Sequence, residues 1–128
     1  MSKYDRNPWL DDGTEECKDL VIASAKWFQN TKFPVLVDVA AEAISKEMKT
    51  YDMLLSAAQY GDPKSTIGRH LSRFYDIRGR QLRRNGVRSR FYVIHNPAKV
   101  LRNLGLMLMQ HGIDSDEELQ ALVPGFSL

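Results

Sequence analysis

The feature that most constrains the fold is the pair Asn85-Gly86, which lies between the runs QLRR and VRSRFYVI. Asn-Gly is the preferred pair for a two-residue type I′ turn, because both residues can take a positive φ. The flanking runs alternate in character and are rich in strand-forming residues, as the two arms of a hairpin are. The sequence therefore predicts a β-hairpin, and the turn sets its register. The predicted cross-strand pairs are Arg84 with Val87, Arg83 with Arg88, and Gln81 with Arg90.

Arginine is unusually frequent in this hairpin, since six arginines and no acidic residue lie between residues 78 and 90. Like charges that face each other across a hairpin destabilise it, whereas a bound polyanion removes that cost and releases counterions. The alternative is a charged edge that blocks strand-to-strand aggregation, a role that explains one or two arginines more readily than six. We expect the hairpin to present Leu82, Phe91 and Val93 to the core, and Arg83, Arg88 and Arg90 on its other face.

Charge is strongly polarised along the chain, although the formal net charge is only +2. Residues 64–102 hold eleven of the 18 basic residues and one of the 16 acidic residues. Such segregation indicates a polyanionic partner on one face of the protein.

Length and composition set outer limits on fold and function. A chain of 128 residues with 43% hydrophobic content fits one compact domain, which we place at residues 12–128 behind a flexible leader of residues 1–11. A single cysteine, Cys17, excludes an intramolecular disulfide, and the three histidines lack the spacing of metal ligands. We therefore expect no cofactor, no metal and no membrane segment, and a cytoplasmic location.

Helix signals surround the hairpin. A first helix should start at a capping box of Asp12 and Glu15, and a short strand should follow Pro34. Residues 39–60 keep a helical period and predict either two helices with a bend near Thr50 or one long helix. Further helices are predicted at 63–75, after Asn96-Pro97, and after Ser115.

The stretch LLSAAQYGDPKSTIGRHLSRF contains Ala57, Gly61 and Ile67 at offsets of four and six residues. A helix-turn-helix needs a small residue, a turn glycine and a branched apolar residue at such positions. Together with the hairpin that follows, the stretch resembles the winged helix-turn-helix of DNA-binding proteins, with STIGRHLSRF as the recognition helix. The predicted fold class is mainly α with a small β-hairpin, a winged helix-turn-helix with additional C-terminal helices.

The resemblance implies two groups of DNA-contacting residues. The exposed face of the second helix would enter the major groove, and free N–H groups at its start would suit a phosphate. The hairpin would lie as a wing along the backbone or in the minor groove. The predicted major-groove residues are Lys64, Ser65, Thr66, Arg69 and Arg73. The predicted wing residues are Arg78, Arg80, Arg83, Arg84, Arg88 and Arg90.

The C-terminal run VLRNLGLMLMQHG carries an apolar stripe. We expect it to pack within the chain, and the alternative is a homodimer through the C-terminal helices. The ending VPGFSL is typical of a domain edge, which would make the chain the N-terminal domain of a longer protein.

The predicted function is sequence-preferring binding of double-stranded DNA, without enzymatic activity. The arginine-rich wing followed by further helices is similar to origin-binding and primase-associated domains of phage and mobile-element replication proteins, which implies a role in replication initiation. A transcriptional repressor or regulator with the same fold is an alternative. An RNA-binding or acidic-protein-binding module is a further one.

Overall fold

The structure, a computed structural model, describes residues 6–128, so the first five residues of the predicted leader lie outside the described part. It is mainly helical, with six α-helices and one small antiparallel sheet. The helices are α1 (Glu15–Gln29), α2 (Val37–Glu47), α3 (Tyr51–Ser56), α4 (Pro63–Tyr75), α5 (Pro97–Gln110) and α6 (Asp116–Leu122). The strands are β1 (Val35–Leu36), β2 (Arg78–Arg84) and β3 (Val87–Val93), in the spatial order β1-β3-β2. The predicted mainly helical class with a small hairpin is confirmed.

The hairpin has the predicted turn and register. Asn85 and Gly86 take φ values of 52° and 77°, the left-handed conformations that a type I′ turn requires. All three predicted cross-strand pairs form: Arg84 with Val87, Arg83 with Arg88, and Gln81 with Arg90.

The two faces of the hairpin are the reverse of those we expected. Tyr92 is 4% exposed and joins the main core, where it meets Trp27 edge-to-face at 6.4 Å. Phe91 is buried on the opposite face, outside that core, with the guanidinium carbon of Arg84 5.1 Å from its ring centroid. The strand carries one large aromatic residue on each face, so alternation alone does not decide which face meets the helices.

Helix α1 begins later than predicted, because Thr14 rather than Asp12 caps it. The Thr14 hydroxyl accepts a hydrogen bond from the Cys17 amide at 3.0 Å. Asp12 instead accepts a hydrogen bond from the Gln110 side chain at 3.1 Å. The buried face of α1 still follows the predicted helical period and includes Leu20 and Val21.

The region 39–60 forms two helices, and one carboxylate stabilises the break between them. Asp19 of α1 accepts hydrogen bonds from the backbone amides of Lys49 and Thr50, at 3.0 and 2.9 Å, and from the Thr50 hydroxyl at 2.6 Å. The Asp19 carboxylate thus gives a hydrogen-bond partner to backbone amides that would otherwise lack one between the end of α2 and the start of α3. The predicted bend near Thr50 is therefore present.

The segment just before α1 packs against the core, whereas we expected a flexible leader up to residue 11. Residues Pro8–Leu10 form a 3₁₀ turn, and Trp9 is 2% exposed. The Trp9 indole N–H donates to the Thr50 hydroxyl at 2.9 Å, and the buried Asn7 amide donates to the Thr66 hydroxyl at 3.1 Å. Indole burial and two hydrogen bonds to distant elements hold this segment in place.

The apolar stripe of α5 is buried inside the chain, as we expected. Its buried residues are Val100, Leu104, Gly105, Met107 and Leu108. The Phe126 ring lies directly on Gly105, where a Cβ would overlap the ring. The absence of a side chain at Gly105 thus lets the C-terminal segment close over α5. A homodimer through the C-terminal helices stays a prediction.

His70 of α4 is fully buried and has a hydrogen-bond partner at each ring nitrogen, as we expect of a core histidine. Its Nδ1 lies 3.1 Å from the carbonyl oxygen of Trp9, which can only accept, so Nδ1 carries the proton. Its Nε2 lies 2.9 Å from the Tyr75 hydroxyl and accepts from it. The imidazole is therefore neutral, and burial lowers the pKa of His70 to about 3.

This burial predicts a pH-dependent stability. The unfolded chain binds a proton at His70 near pH 6.5 and the folded chain only near pH 3, so stability falls as the pH drops through that window. We expect His70 to contribute a loss of about 2 kcal/mol in unfolding free energy between pH 7 and pH 5. This loss is measured by urea denaturation of the wild type and of His70→Gln at both pH values. The variant should lose about 2 kcal/mol less over this interval, and equal losses would contradict the assignment.

Candidate nucleic-acid interface

Helix α4 provides one wall of the candidate interface, and its sequence explains its position. Pro63 occupies the first turn, and the Asp62 carboxylate caps the helix by accepting from the Lys64 amide at 3.0 Å. Ile67 and Leu71 are buried, which turns the opposite face of α4 outward.

Four of the five predicted major-groove residues lie on that outward face. Lys64, Ser65, Arg69 and Arg73 are exposed. Thr66 is not, since it is fully buried and accepts the hydrogen bond from Asn7. The prediction that Thr66 contacts DNA is therefore wrong, because the leader segment covers it.

The start of α4 is not the open phosphate site that we expected. The Asp62 carboxylate already accepts a hydrogen bond from the Lys64 amide, and it places a negative charge at the helix N-terminus. Lys64 forms an ion pair with Asp38 at 2.7 Å, and that hydrogen bond raises the pKa of Lys64. A phosphate at this end would have to compete with two carboxylates.

The hairpin provides the other wall. A groove of about 890 Å³ separates α4 from the hairpin. Its lining includes Lys64, Arg69, Arg73, Arg78, Arg90 and Tyr92. We call it the basic groove. It brings together residues that the sequence analysis assigned to two separate contact groups.

Two glycines shape the basic groove by letting large side chains lie close to backbone. A Cβ at Gly68 of α4 would stand 2.8 Å from the Tyr92 hydroxyl. A Cβ at Gly79 of β2 would stand 2.8 Å from Nε and 3.0 Å from Nη2 of Arg90. Gly68 thus lets the sheet approach α4, and Gly79 lets the Arg90 guanidinium lie flat across the neighbouring strand. No local sequence pattern marks either glycine.

Gly79→Ala should displace Arg90 without unfolding the protein. Gly79 does not have a positive φ, and the end of an arginine side chain moves at little cost, so we expect a stability change within about 1 kcal/mol. Affinity for duplex DNA should fall roughly 3- to 10-fold, as in Arg90→Ala. Fluorescence anisotropy of the two single variants and the double variant tests this. The double variant should lose no more affinity than Arg90→Ala alone. Additive losses of affinity would show that Gly79 does not act through Arg90.

Most of the positive charge in the groove and hairpin lacks an acidic partner. Asp76 pairs with Arg78 at 2.7 Å and with Lys99 at 3.5 Å, and the hydrogen bond from Arg78 lowers the pKa of Asp76. In α4 and the hairpin, seven other exposed arginines have no carboxylate of residues 6–128 within 4.0 Å. They are Arg69, Arg73, Arg80, Arg83, Arg84, Arg88 and Arg90.

The spacing that suggested a helix-turn-helix is only partly reflected in local geometry. Gly61 has a φ of 80° and Ile67 is 1% exposed, as expected. Ala57 lies just past the end of α3, with φ −87° and ψ 71°, and a 3₁₀ turn at Ala58–Tyr60 lengthens the connection. Helix α4 packs mainly on α5 and also on α2. Of the two helices that precede α4 in the chain, α2 rather than the predicted α3 is therefore the one that packs against it.

Other kinds of site are not evident in the described part of the chain. Residues 6–128 contain no group of three or more His, Cys, Asp or Glu side chains arranged to hold a metal. No helix among them is both long enough and apolar enough to cross a membrane. The single thiol, Cys17, is buried, and burial raises its pKa to about 12, which makes it a poor nucleophile.

Comparison with known proteins gives no relative. No family model, no curated protein and no solved structure matches the chain.

Proposed function

We propose that the protein binds double-stranded DNA with its basic groove and hairpin. The observation that carries the proposal is the set of seven exposed arginines on α4 and the hairpin that have no acidic partner within residues 6–128, three of which line the basic groove. Grouped cations of this kind repel one another in the free protein, and a polyanion relieves the repulsion. Phosphates of nucleic acid do so and release counterions as they bind.

The fold supports a winged helix-turn-helix reading of this surface. The chain runs through α1, β1, α2, the short α3, α4 and then the hairpin, with β1 on the outer edge of β3. In this proposal α4 is the recognition helix, α2 is its partner, and the hairpin is the wing. The 3₁₀ turn and α3 are an insertion in the connection between the two helices.

The two walls would have different tasks. Arg69 and Arg73 project from the outward face of α4, where forked guanidinium groups can pair with the O6 and N7 atoms of guanine. The hairpin arginines would contact phosphates, which fix position but carry no sequence information. We infer a sequence preference set by α4 and an affinity set largely by the hairpin.

The biological role that we propose is origin recognition in the replication of a phage or mobile element, with transcriptional regulation as the alternative. Both require the same binding. They differ in the arrangement of sites, since repeated spaced copies of one motif favour an initiator and a single palindrome favours a repressor.

A selection from random duplex DNA at near-physiological salt tests the function. The wild type should enrich a short motif. Arg69→Ala should lose roughly 1–3 kcal/mol of binding free energy on that motif, and the selection repeated with the variant should show relaxed preference at one position.

Arg88→Ala is the matched comparison for Arg69→Ala, because it removes one arginine from the hairpin. It should weaken binding to all duplexes alike and lower the salt slope by about one. If Arg69→Ala binds its motif with unchanged preference, α4 is not the recognition helix. If the wild type enriches nothing and loses all binding as salt rises, the surface is only a nonspecific polyanion site.

A further inference from the structure

The outer half of the hairpin stands free of the rest of the protein. Strand β1 pairs with β3 only as far as Phe91, through Leu36. From Phe91 the strand continues four residues to Val87, which is about 13 Å at a rise of ~3.3 Å per residue. The residues from Arg83 to Arg88 are all exposed. Residues 81–90 therefore form a projecting two-stranded arm.

The end of this arm carries one exposed apolar side chain beside its Asn85-Gly86 turn, although its sides are basic. Val87 directly follows the Asn85-Gly86 turn and is 62% exposed, more than any other large apolar side chain among residues 6–127. Its cross-strand partner Arg84 lies over the Phe91 ring and leaves Val87 uncovered. A branched, exposed apolar side chain thus lies directly behind the turn that ends a cationic arm.

The arm is long enough to reach the floor of the DNA minor groove but is wider than the groove. The minor groove is about 7.5 Å deep and about 6 Å wide. An arm of about 13 Å reaches its floor, whereas two strands about 4.8 Å apart with side chains on both faces are wider than the groove. Insertion of the arm therefore requires the groove to open.

Arginines on both faces of the arm can meet both walls of such a groove. The pairing register puts Arg83, Arg88 and Arg90 on one face of the arm and Arg84 on the other, with Arg80 on the same side as Arg84 at the base of the arm. Phosphates line the groove on each side, so each face of the arm would have its own phosphate wall. This arrangement would hold the tip against the base pairs.

We propose that Val87 is a wedge that inserts between base pairs in the minor groove and bends the duplex. The inference rests on the proposed function and extends it to the form of DNA that is bound. Apolar side chains inserted in the minor groove unstack a base step and kink the duplex toward the major groove. The preferred sites then contain a flexible pyrimidine–purine step at a position that no polar side chain reads.

Energy transfer between dyes on the two ends of a duplex tests the wedge. The probe is a duplex of about 30 base pairs with a central TA step, bound to saturation. The wild type should raise the transfer efficiency, and Val87→Ser should lose at least half of that rise. Leu55→Ser is the control, because Leu55 is 59% exposed on α3, away from the basic groove. It should bend the duplex as the wild type does.

A second probe, the same duplex with a nick at the TA step, gives an independent readout. Since a nick removes part of the cost of bending, the wild type should bind it roughly 10-fold more tightly than the intact duplex. Val87→Ser should keep less than about a 3-fold preference. Binding without a rise in transfer, or equal bending by Val87→Ser, overturns the wedge and leaves the proposed function standing. Binding of neither duplex overturns both.

Discussion

Replacing Arg83, Arg88 and Arg90 together with alanine should lower the affinity for duplex DNA by about two orders of magnitude. These residues share the hairpin face that carries Tyr92 and adjoins the basic groove, and the structure gives none of them an acidic partner within residues 6–128. Each lost phosphate contact removes about one released counterion, so the salt slope should fall by about three. Fluorescence anisotropy titrations over a range of salt concentrations measure both quantities.

The matched control for the triple variant is Lys32→Ala, Lys46→Ala and Lys49→Ala in one chain. All three lysines are exposed and lie outside the basic groove, so the change in net charge is the same and its location differs. This control should bind within about 3-fold of the wild type. An equal loss of affinity in both variants would show that net charge rather than the hairpin determines binding.

Trp9→Ala should destabilise the protein by about 3–5 kcal/mol, although Trp9 lies only nine residues from the N-terminus. Its indole is 2% exposed, meets Tyr60 edge-to-face at 6.2 Å, and donates to Thr50. The Trp9 carbonyl also accepts from His70, so the segment is connected to the centre of α4. Urea denaturation followed by circular dichroism measures the change.

Trp9→Phe separates the contribution of the hydrogen bond from that of the buried ring. It keeps most of the apolar area but loses the indole N–H, so we expect a smaller loss of about 1–2 kcal/mol. If Trp9→Ala changed the unfolding free energy by less than about 1 kcal/mol, residues 7–11 would be a leader after all.

The hairpin could be predicted from the sequence because its determinants are local. Asn85-Gly86 specifies one turn type, and that turn specifies the register of every pair in the strands. The break near Thr50 was also predictable in place. The group that stabilises the break was not, because Asp19 lies about thirty residues away in sequence.

Errors arose where a residue's environment depends on a distant segment. Thr66 has the spacing of an exposed residue, but Asn7 and the Trp9 segment cover it. The faces of the hairpin were reversed because Tyr92 and Phe91 fit either face equally well by pattern. Gly68 determines which face of the hairpin meets the helices, since it leaves space on α4 for the Tyr92 side chain. No local pattern joins a glycine on a helix to a tyrosine on a strand.

The same limit applies to the candidate site. The cations could be identified directly from the sequence. Of the eleven residues assigned to DNA contact, ten are exposed as predicted, and Thr66 is the exception. Five of these cations line one groove. That arrangement could not be predicted, because it depends on how closely the hairpin approaches α4. Gly68 allows that approach, and Gly79 leaves space for the Arg90 guanidinium.

The central claim is best tested by titrating the protein, at near-physiological salt, with a DNA duplex and an RNA duplex of the same sequence. A recognition helix enters the wide major groove of B-form DNA, whereas the deep and narrow major groove of A-form RNA excludes it. We predict that the DNA duplex binds at least about 10-fold more tightly and that the RNA duplex binds only through its phosphates. Equal or tighter binding of the RNA duplex, or binding of neither duplex, would contradict the account.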